Sequence, residues 1–278
     1  MKRFITFAMA VAAAIPAYAG TIIINLGTAS QFGLLGGTIS NTGTSAITGD
    51  VGGTVTVTGF TPGPGNLSAP GTATGTVYDG GSTAAAAYTD FLNAFAAANL
   101  LTPTQSVTGG DLGAAGSFTF DANTVYSLPS GESTGTGLTL TFDAEGNPNA
   151  VFVLIAPDSL TVNGPTTFNL INDANPANIF WIIGTDATIS ANDGGTFDGN
   201  ILAGDTFTMS ASSPTGTIDG CVFAENANTL ASTTDVDGCS GYTANGVPEP
   251  GSMILVSLAC VLGIWRLRSL RLRRHPVS

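Results

Sequence analysis

The hydrophobic and polar positions between residues 151 and 238 follow one pattern, which is written four times. Each copy begins with consecutive apolar residues, continues with alternating polar and apolar residues, and ends with a shorter run that usually closes on Asn or Asp. One copy lasts roughly 20 residues, a period typical of solenoids, in which each unit buries its apolar side by stacking on its neighbours. Three short strands per copy, hereafter called a round, predict a β-helix with a triangular cross-section.

The strands that open the rounds predict a covered surface, which we call the first face. Residues 151–155 and 179–183 are apolar at successive positions. Strands with this composition are buried on both sides. The sequence therefore predicts that another element lies over the first face.

A helix predicted over about residues 82–100 is the expected cover. Its apolar residues fall at positions i, i+3, i+4 and i+7 and form one stripe: Tyr88, Phe91, Leu92 and Phe95. Asp79 or Ser82 is placed to cap the first turn. Residues 26–50 repeat the three-strand pattern, so a further round is expected there, and residues 54–70 are expected to form an irregular cap or loop.

The second strand of each round predicts a flat, uncharged surface, which we call the middle face. Alternation along these strands points Leu160, Val162 and Ile189 into the core. The opposite parity points hydroxyl groups outward. These candidate surface residues are Thr38, Ser40, Thr161, Thr188, Ser190, Thr206, Thr208, Ser210 and Thr229. Thr and Ser are also common on exposed strands that bind nothing, which is the plain structural alternative.

The third strands form a third face on which the same parity points carboxylates outward. Asp198, Asp219 and Asp237 recur at equivalent places in three rounds, after Asn169 in the round before. These carboxylates suit Ca²⁺, which prefers oxygen ligands. The favoured alternative is that they are solvated Asp-Gly turns, so no metal site is predicted.

The distribution of charge excludes several classes of function. The formal net charge is −12, and residues 4–265 contain no Lys, Arg or His. Nucleic-acid binding lacks its cations, and a Ser-His-Asp triad or a histidine zinc site lacks its imidazole. Acid/base chemistry by paired carboxylates stays open in principle, but we expect no enzymatic activity and no cofactor.

Cys221 and Cys239 lie almost one round apart. Stacked strands are ~4.8 Å apart, which is within the range of Cα separations that a disulfide spans. We therefore predict a Cys221–Cys239 disulfide in an exported protein. Two free, buried thiols are the alternative.

The two ends of the chain predict export and sorting. Residues 1–19 have the basic start, apolar core and Ala-x-Ala ending of a secretory signal peptide. Residues 20–243 form the expected solenoid domain and 244–250 a linker. Residues 251–265 form an apolar transmembrane helix, and 266–278 a basic cytoplasmic tail.

The linker, helix and Arg cluster together resemble the PEP-CTERM sorting signal, whose motif here is Val247, Pro248, Glu249 and Pro250. This resemblance implies cleavage by an exosortase-type protease and release to the cell surface or extracellular space. A plain membrane anchor is the alternative.

Several segments of residues 20–242 resemble the ice-binding-like family of secreted β-solenoids. The most specific segment runs from Asp143 to Phe152, with the sequence Asp-Ala-x-Gly-Asn-Pro-Asn-Ala-Val-Phe. The resemblance implies a mostly β fold: a discontinuous right-handed β-helix, with one long α-helix packed along one face and the N-terminal round stacked on the C-terminal one. It also implies adsorption to ice through a flat face.

Two hypotheses of function follow from these patterns. The first is an exported, antifreeze-like protein whose partner is the ice crystal surface and whose contact is the middle face. The second is a cell-surface or extracellular-matrix adhesin, or a structural protein, without ice activity. A bulky residue on the middle face separates them, because it blocks the first activity and need not affect the second.

Overall fold

The computed structural model describes residues 22–64, 70–107, 112, 116–134, 137–164, 166–190, 195–210, 216–231 and 233–239. The fold is mostly β, as expected, with a 19-residue helix, α1 (Gly81–Asn99). In chain order the strands are β1 (Phe32–Asn41), β2 (Ala46–Ile47), β3 (Asp50–Thr58), β4 (Gly63–Pro64), β5 (Thr72–Ala73), β6 (Thr76–Asp79), β7 (Gln105–Ser106), β8 (Ser117–Asp121), β9 (Thr124–Ser127), β10 (Glu132–Thr134), β11 (Leu138–Asp143), β12 (Phe152–Ala156), β13 (Leu160–Val162), β14 (Thr166–Ile171), β15 (Ile179–Ile183), β16 (Ala187–Ser190), β17 (Thr196–Asp198), β18 (Asn200–Ala203), β19 (Thr206–Ser210), β20 (Gly216–Asp219), β21 (Val222–Leu230) and β22 (Thr234–Val236). Short 3-10 helices cover Gly27–Gln31 and Pro176–Asn178.

Equivalent strands of successive rounds pair in parallel. The first face stacks in the order β7-β9-β12-β15-β18-β21, and the middle face in the order β10-β13-β16-β19-β21. The third face consists of two sheets, β8-β11-β14 and β17-β20-β22-β2-β5. The short antiparallel pair β4-β6 departs from this rule.

Strand β21 joins the two ends of the domain. Its first half pairs with β18 and its second half with β19, so it serves both the first and the middle face. Along its other edge it pairs with β1, and β1 then pairs with β3. The N-terminal rounds therefore stack on the last C-terminal round, as the resemblance implied.

The segment after the first round differs from the expectation of an irregular loop. Residues 50–58 form strand β3, which continues the stack beyond β1. The alternation Thr54-Val55-Thr56-Val57-Thr58 is itself a strand pattern. Gly59 and Pro62 just beyond it led to the wrong assignment, because those residues usually mark loops.

An apolar core runs through the stack, bounded by the three faces. The inward positions of the middle face, including Leu160, Ile189 and Phe207, are buried as parity predicted. Aromatic rings fill the interior behind the third face, where the rings of Phe168 and Phe197 contact each other with centroids 5.0 Å apart. The indole of Trp181 donates a 3.0 Å hydrogen bond to the backbone carbonyl of Asp198.

Helix α1 covers the first face, which confirms the expected role of the helix. Ala87, Phe91 and Ala94 are buried and belong to one apolar cluster with first-face residues such as Phe180 and Leu202. The predicted side-chain cap is wrong, because the N-cap residue is Gly80 and no side chain caps the helix. The Asp79 carboxylate accepts a hydrogen bond from the Val57 amide instead.

The predicted disulfide is present. Cys221 and Cys239 are bonded, with Cα atoms 4.7 Å apart. Both residues are buried in the cluster between the first face and α1. The bond therefore fixes the end of the last round against the covered side of the stack.

Within the described part of the chain, no helix is long and apolar enough to cross a membrane. The predicted signal peptide (1–19) and transmembrane segment (251–265) lie outside the described residues. Both stay predictions.

Replacing Cys221 and Cys239 together with Ser should lower the melting temperature. The bond closes a loop with a sequence separation of 18 residues. A loop of this length is worth about 3 kcal/mol, and each kcal/mol shifts the melting temperature of a domain this size by about 2–4 °C. We expect a decrease of about 6–12 °C in calorimetry. Dithiothreitol should lower the melting temperature of the wild type to that of the variant and leave the melting temperature of the variant unchanged. Equal melting temperatures for the oxidised wild type and the variant would contradict the stabilising role of the disulfide.

Candidate functional site

The outward hydroxyl groups of the middle face align from strand to strand. The parallel register places Thr161 beside Thr188, Thr188 beside Thr208, and Thr208 beside Thr229. Thr229 in turn lies beside Ser40 of β1. We call this row of five residues the central column. It crosses the junction between the C-terminal and N-terminal rounds without interruption.

The hydroxyl groups of the central column are available to solvent. All five residues are half-buried, with the core on one side of their strands and the surface on the other. Within the residues that the structure describes, no protein group forms a hydrogen bond with any of these five hydroxyls. Their donors and acceptors are therefore free to bind water at the spacing of parallel strands, ~4.8 Å.

The remaining candidate residues flank the central column in two shorter rows. Ser190 lies beside Ser210 on one side. On the other side Thr206 and Thr38 each lie beside Ala227, which separates them. All nine residues that the sequence indicated thus lie on one surface, but five of them form a continuous row.

A carboxylate interrupts the row that contains Thr206. The Thr206 hydroxyl donates a 2.6 Å hydrogen bond to the exposed carboxylate of Asp186. Asp186 directly precedes β16 and lies at the corner between the first and middle faces. A negatively charged carboxylate therefore borders the uncharged surface.

The structure extends the central column beyond the residues indicated by sequence. Thr58 of β3 lies beside Ser40, and Thr56 lies beside Thr38. The Thr58 hydroxyl donates a 3.2 Å hydrogen bond to the carbonyl of Ile39. At the opposite end, Ser133 of β10 is in register with Thr161. Thr56 and Thr58 were missed because their segment was assigned to a loop, although its alternating pattern could have revealed them.

The acidic positions of the third face are not all on the surface as predicted. Asp198 is buried, with 9% of its surface exposed, whereas Asp219 is half-buried and Asp237 exposed. Asp198 pairs with Asp219 of the next round, and its burial within the stack is not visible from parity along a single strand. Burial, with the nearby Asp219 charge, raises the pKa of the Asp198 carboxyl to about 7. Burial and the charge of Asp237 also raise the pKa of Asp219.

Among the described residues, no group of three or more His, Cys, Asp or Glu is arranged to hold a metal ion. The sorting-motif residues Val247, Pro248, Glu249 and Pro250 lie outside the described residues.

Comparison with known proteins relates the sequence and the fold to one family. The sequence model of a family described as ice-binding-like matches residues 34–236. An ice-binding protein from Nostoc sp. (strain HG1) is 36% identical over 237 residues, which cover 83% of this chain and 81% of that protein.

Solved structures of ice-binding proteins resemble this fold as well. The ice-binding protein of the Antarctic ascomycete Antarctomyces psychrotrophicus is 31% identical, with a TM-score of 0.67, covering 78% of this chain and 98% of that one. A glycosylated ice-binding protein from an Arctic yeast is 26% identical, with a TM-score of 0.63, covering 82% of this chain and 99% of that one.

The raised pKa of Asp198 predicts that the wild type loses stability as the pH rises from about 4 to above 7. The folded-state pKa, about 7, exceeds the ordinary value of about 3.9. The folded protein therefore binds more protons than the unfolded chain within this window, and its free energy of unfolding falls as the pH rises. Asp198→Asn should raise the melting temperature at pH 8, and should raise it less at pH 5.

Asp158→Asn is the matched control for the loss of one negative charge, because Asp158 is exposed on a turn. Calorimetry of the three proteins at pH 5 and pH 8 gives the comparison. The same pH dependence in wild type and Asp198→Asn would show that this carboxyl is not the source.

Proposed function

Because the chain belongs to the ice-binding-like family, we propose that it is an exported protein that adsorbs to ice crystals through its middle face. Adsorption requires a flat, repetitive surface whose hydroxyl and methyl groups order water in register with a lattice. Charged groups oppose this, because they hold water strongly in a different arrangement. The middle face repeats its hydroxyl groups from strand to strand, and the residues of its central column are uncharged.

The central column is the observation that carries this proposal. Thr161, Thr188, Thr208, Thr229 and Ser40 repeat a hydroxyl at each step of a parallel sheet. A surface that only needed solubility would tolerate any polar residue at these positions, including the Asp that is frequent elsewhere in this chain. The uniform hydroxyl chemistry therefore supports a role in binding a periodic ligand.

Rigidity supports the same role, since a surface that matches a lattice must keep its spacing. The inward residues beneath the column, such as Phe207 and Leu230, are fully buried. We propose that the stacked rounds form a discontinuous right-handed triangular solenoid, in which each strand of the middle face is held by a neighbouring round.

The proposed activity needs neither catalysis nor a cofactor. Adsorption to ice forms and breaks no covalent bond, so the hydroxyl groups suffice. We propose that residues 1–19 direct export and that the PEP-CTERM-type segment holds the domain at the membrane until an exosortase-type protease releases it. The ice-contact domain would then act at the cell surface or outside the cell.

A variant with Thr161→Tyr, Thr208→Tyr and Ser40→Tyr tests the proposed surface. These residues occupy alternate positions of the central column, so each new ring stands beside an unchanged residue. The rings lift the rest of the face away from a flat crystal. We expect most of the wild-type thermal hysteresis to be lost.

The matched control carries Thr83→Tyr, Thr89→Tyr and Thr102→Tyr, three exposed positions on or just after α1. It should keep wild-type hysteresis and ice-recrystallisation inhibition, and circular dichroism should show that both variants fold. Wild-type activity in the folded middle-face variant would overturn the assignment of this surface. A folded wild-type protein without ice activity would reject the function and leave the adhesin hypothesis to be tested on cell-surface glycans.

Asp186→Asn should increase ice activity. The change removes the negative charge beside Thr206 while keeping an oxygen that accepts the hydrogen bond from its hydroxyl. The uncharged surface then becomes one row wider. Asp158→Asn serves as the control because its exposed carboxylate has no hydrogen bond to a middle-face hydroxyl among the described residues. Equal thermal hysteresis in wild type and Asp186→Asn would show that this charge does not limit adsorption.

A further inference from the structure

The three-stranded sheet of the third face carries a second ordered array of polar groups. Strands β8, β11 and β14 pair in parallel without a break in register over five and six residue pairs. One row of outward residues consists of Ser117, Thr139 and Thr167, and the next row consists of Thr119, Thr141 and Asn169. We call these six residues the third-face patch. Five of the six carry a hydroxyl group.

The polar groups of the third-face patch are accessible. Ser117, Thr119, Thr167 and Asn169 are exposed, and the two residues of the central strand are half-buried. Asn169 donates a long hydrogen bond of 3.4 Å to the Thr141 hydroxyl. Among the described residues, the other four hydroxyls have no protein partner. The patch thus shares with the central column both its repeat and its free hydroxyl groups.

A stack of aromatic rings packs beneath the sheet that carries the patch. Phe120 and Phe142 are fully buried, with ring centroids 4.8 Å apart. Phe142 and Phe168 lie almost parallel, with an angle of 6° between their rings and centroids 6.3 Å apart. Every strand of the sheet therefore contributes a ring to one packed interior layer, which fixes the spacing of the residues on the outer side.

Charge defines the limits of the patch. The next outward row along the same strands begins with Asp121 and Asp143, and Asn172 donates a 2.8 Å hydrogen bond to the Asp143 carboxylate. In the adjoining five-stranded sheet, Asp219 ends β20, and Asp237 directly follows β22. Between these carboxylates, the six residues of the patch form an uncharged area in a body that otherwise displays many acidic groups.

We propose that the third-face patch is a second ice-adsorbing surface, distinct from the middle face. This inference rests on the proposed function, because it assigns the same ligand to a second array. The two surfaces belong to different sheets, and the chain turns from one to the other between Val162 and Thr166. A rigid molecule then presents one array at a time to a flat crystal, and each array selects the ice planes that match its own spacing.

Fluorescently labelled full-length protein, adsorbed to a hemisphere of single-crystal ice, tests this assignment. Thr119→Tyr with Thr167→Tyr obstructs the patch at two exposed positions on different strands. The Thr161, Thr208 and Ser40 variant obstructs the middle face, and a combined variant obstructs both. We expect the wild type to label two sets of planes, each single-surface variant to lose a different set, and the combined variant to label none.

The outcomes separate the two proposals. If the wild-type protein labels no ice plane, the proposed function itself is rejected. Two results would overturn the second surface alone: a patch variant that labels the same planes as the wild type, or a middle-face variant that labels no plane. Thr119→Lys with Thr167→Lys gives an independent obstruction by strongly hydrated charge, with the folding of each variant checked by circular dichroism. The Thr83, Thr89 and Thr102 variant should keep the full wild-type pattern.

Discussion

The parallel backbone pairing between β21 and β1 is the contact on which the rest of the structure depends. A single round exposes apolar residues on both of its stacking surfaces and buries them only against neighbours. The last C-terminal round would end with such a surface uncovered. Strand β1, nearly two hundred residues earlier in the chain, covers it and continues both the first and the middle face. The domain is thereby closed by contacts between its most distant segments, and the central column is complete only after this closure.

The absence of cations imposes a second constraint. Since residues 4–265 lack Lys, Arg and His, no carboxylate in the body can be neutralised by an ion pair with a side chain of that segment. Asp198 shows the consequence, because burial beside Asp219 raises its pKa to about 7. Stability must come from apolar burial, backbone ladders and the Cys221–Cys239 bond. An acidic body in return repels other copies of itself, which favours a dispersed protein.

Surface and core are connected through the strand geometry. Thr161, Thr188 and Thr208 each lie between two buried apolar residues of the same strand, so their positions are set by core packing rather than by their own contacts. Thr208, for example, lies between Phe207 and Met209, both fully or almost fully buried. The same coupling holds at the third-face patch, where Thr141 lies between Leu140 and Phe142. A surface built in this way keeps its spacing without hydrogen bonds to protein, which leaves the hydroxyl groups for water.

The amino-acid sequence by itself determined the local features: strand character, the inward and outward parity of the middle face, the helix that covers the first face, and the disulfide. These depend on periodicity within a few residues or on one repeat length, both of which are visible in the chain. Only the tertiary structure decided how residues on different strands align, because this depends on which rounds stack and in which register. Stacking places Thr229 beside Ser40 and Thr58 at the end of the column. It also places Ala227 and Asp186 in the neighbouring row and buries Asp198. The physical reason is that register between strands distant in sequence is set by packing of the whole core, whereas parity within a strand is set by the backbone alone.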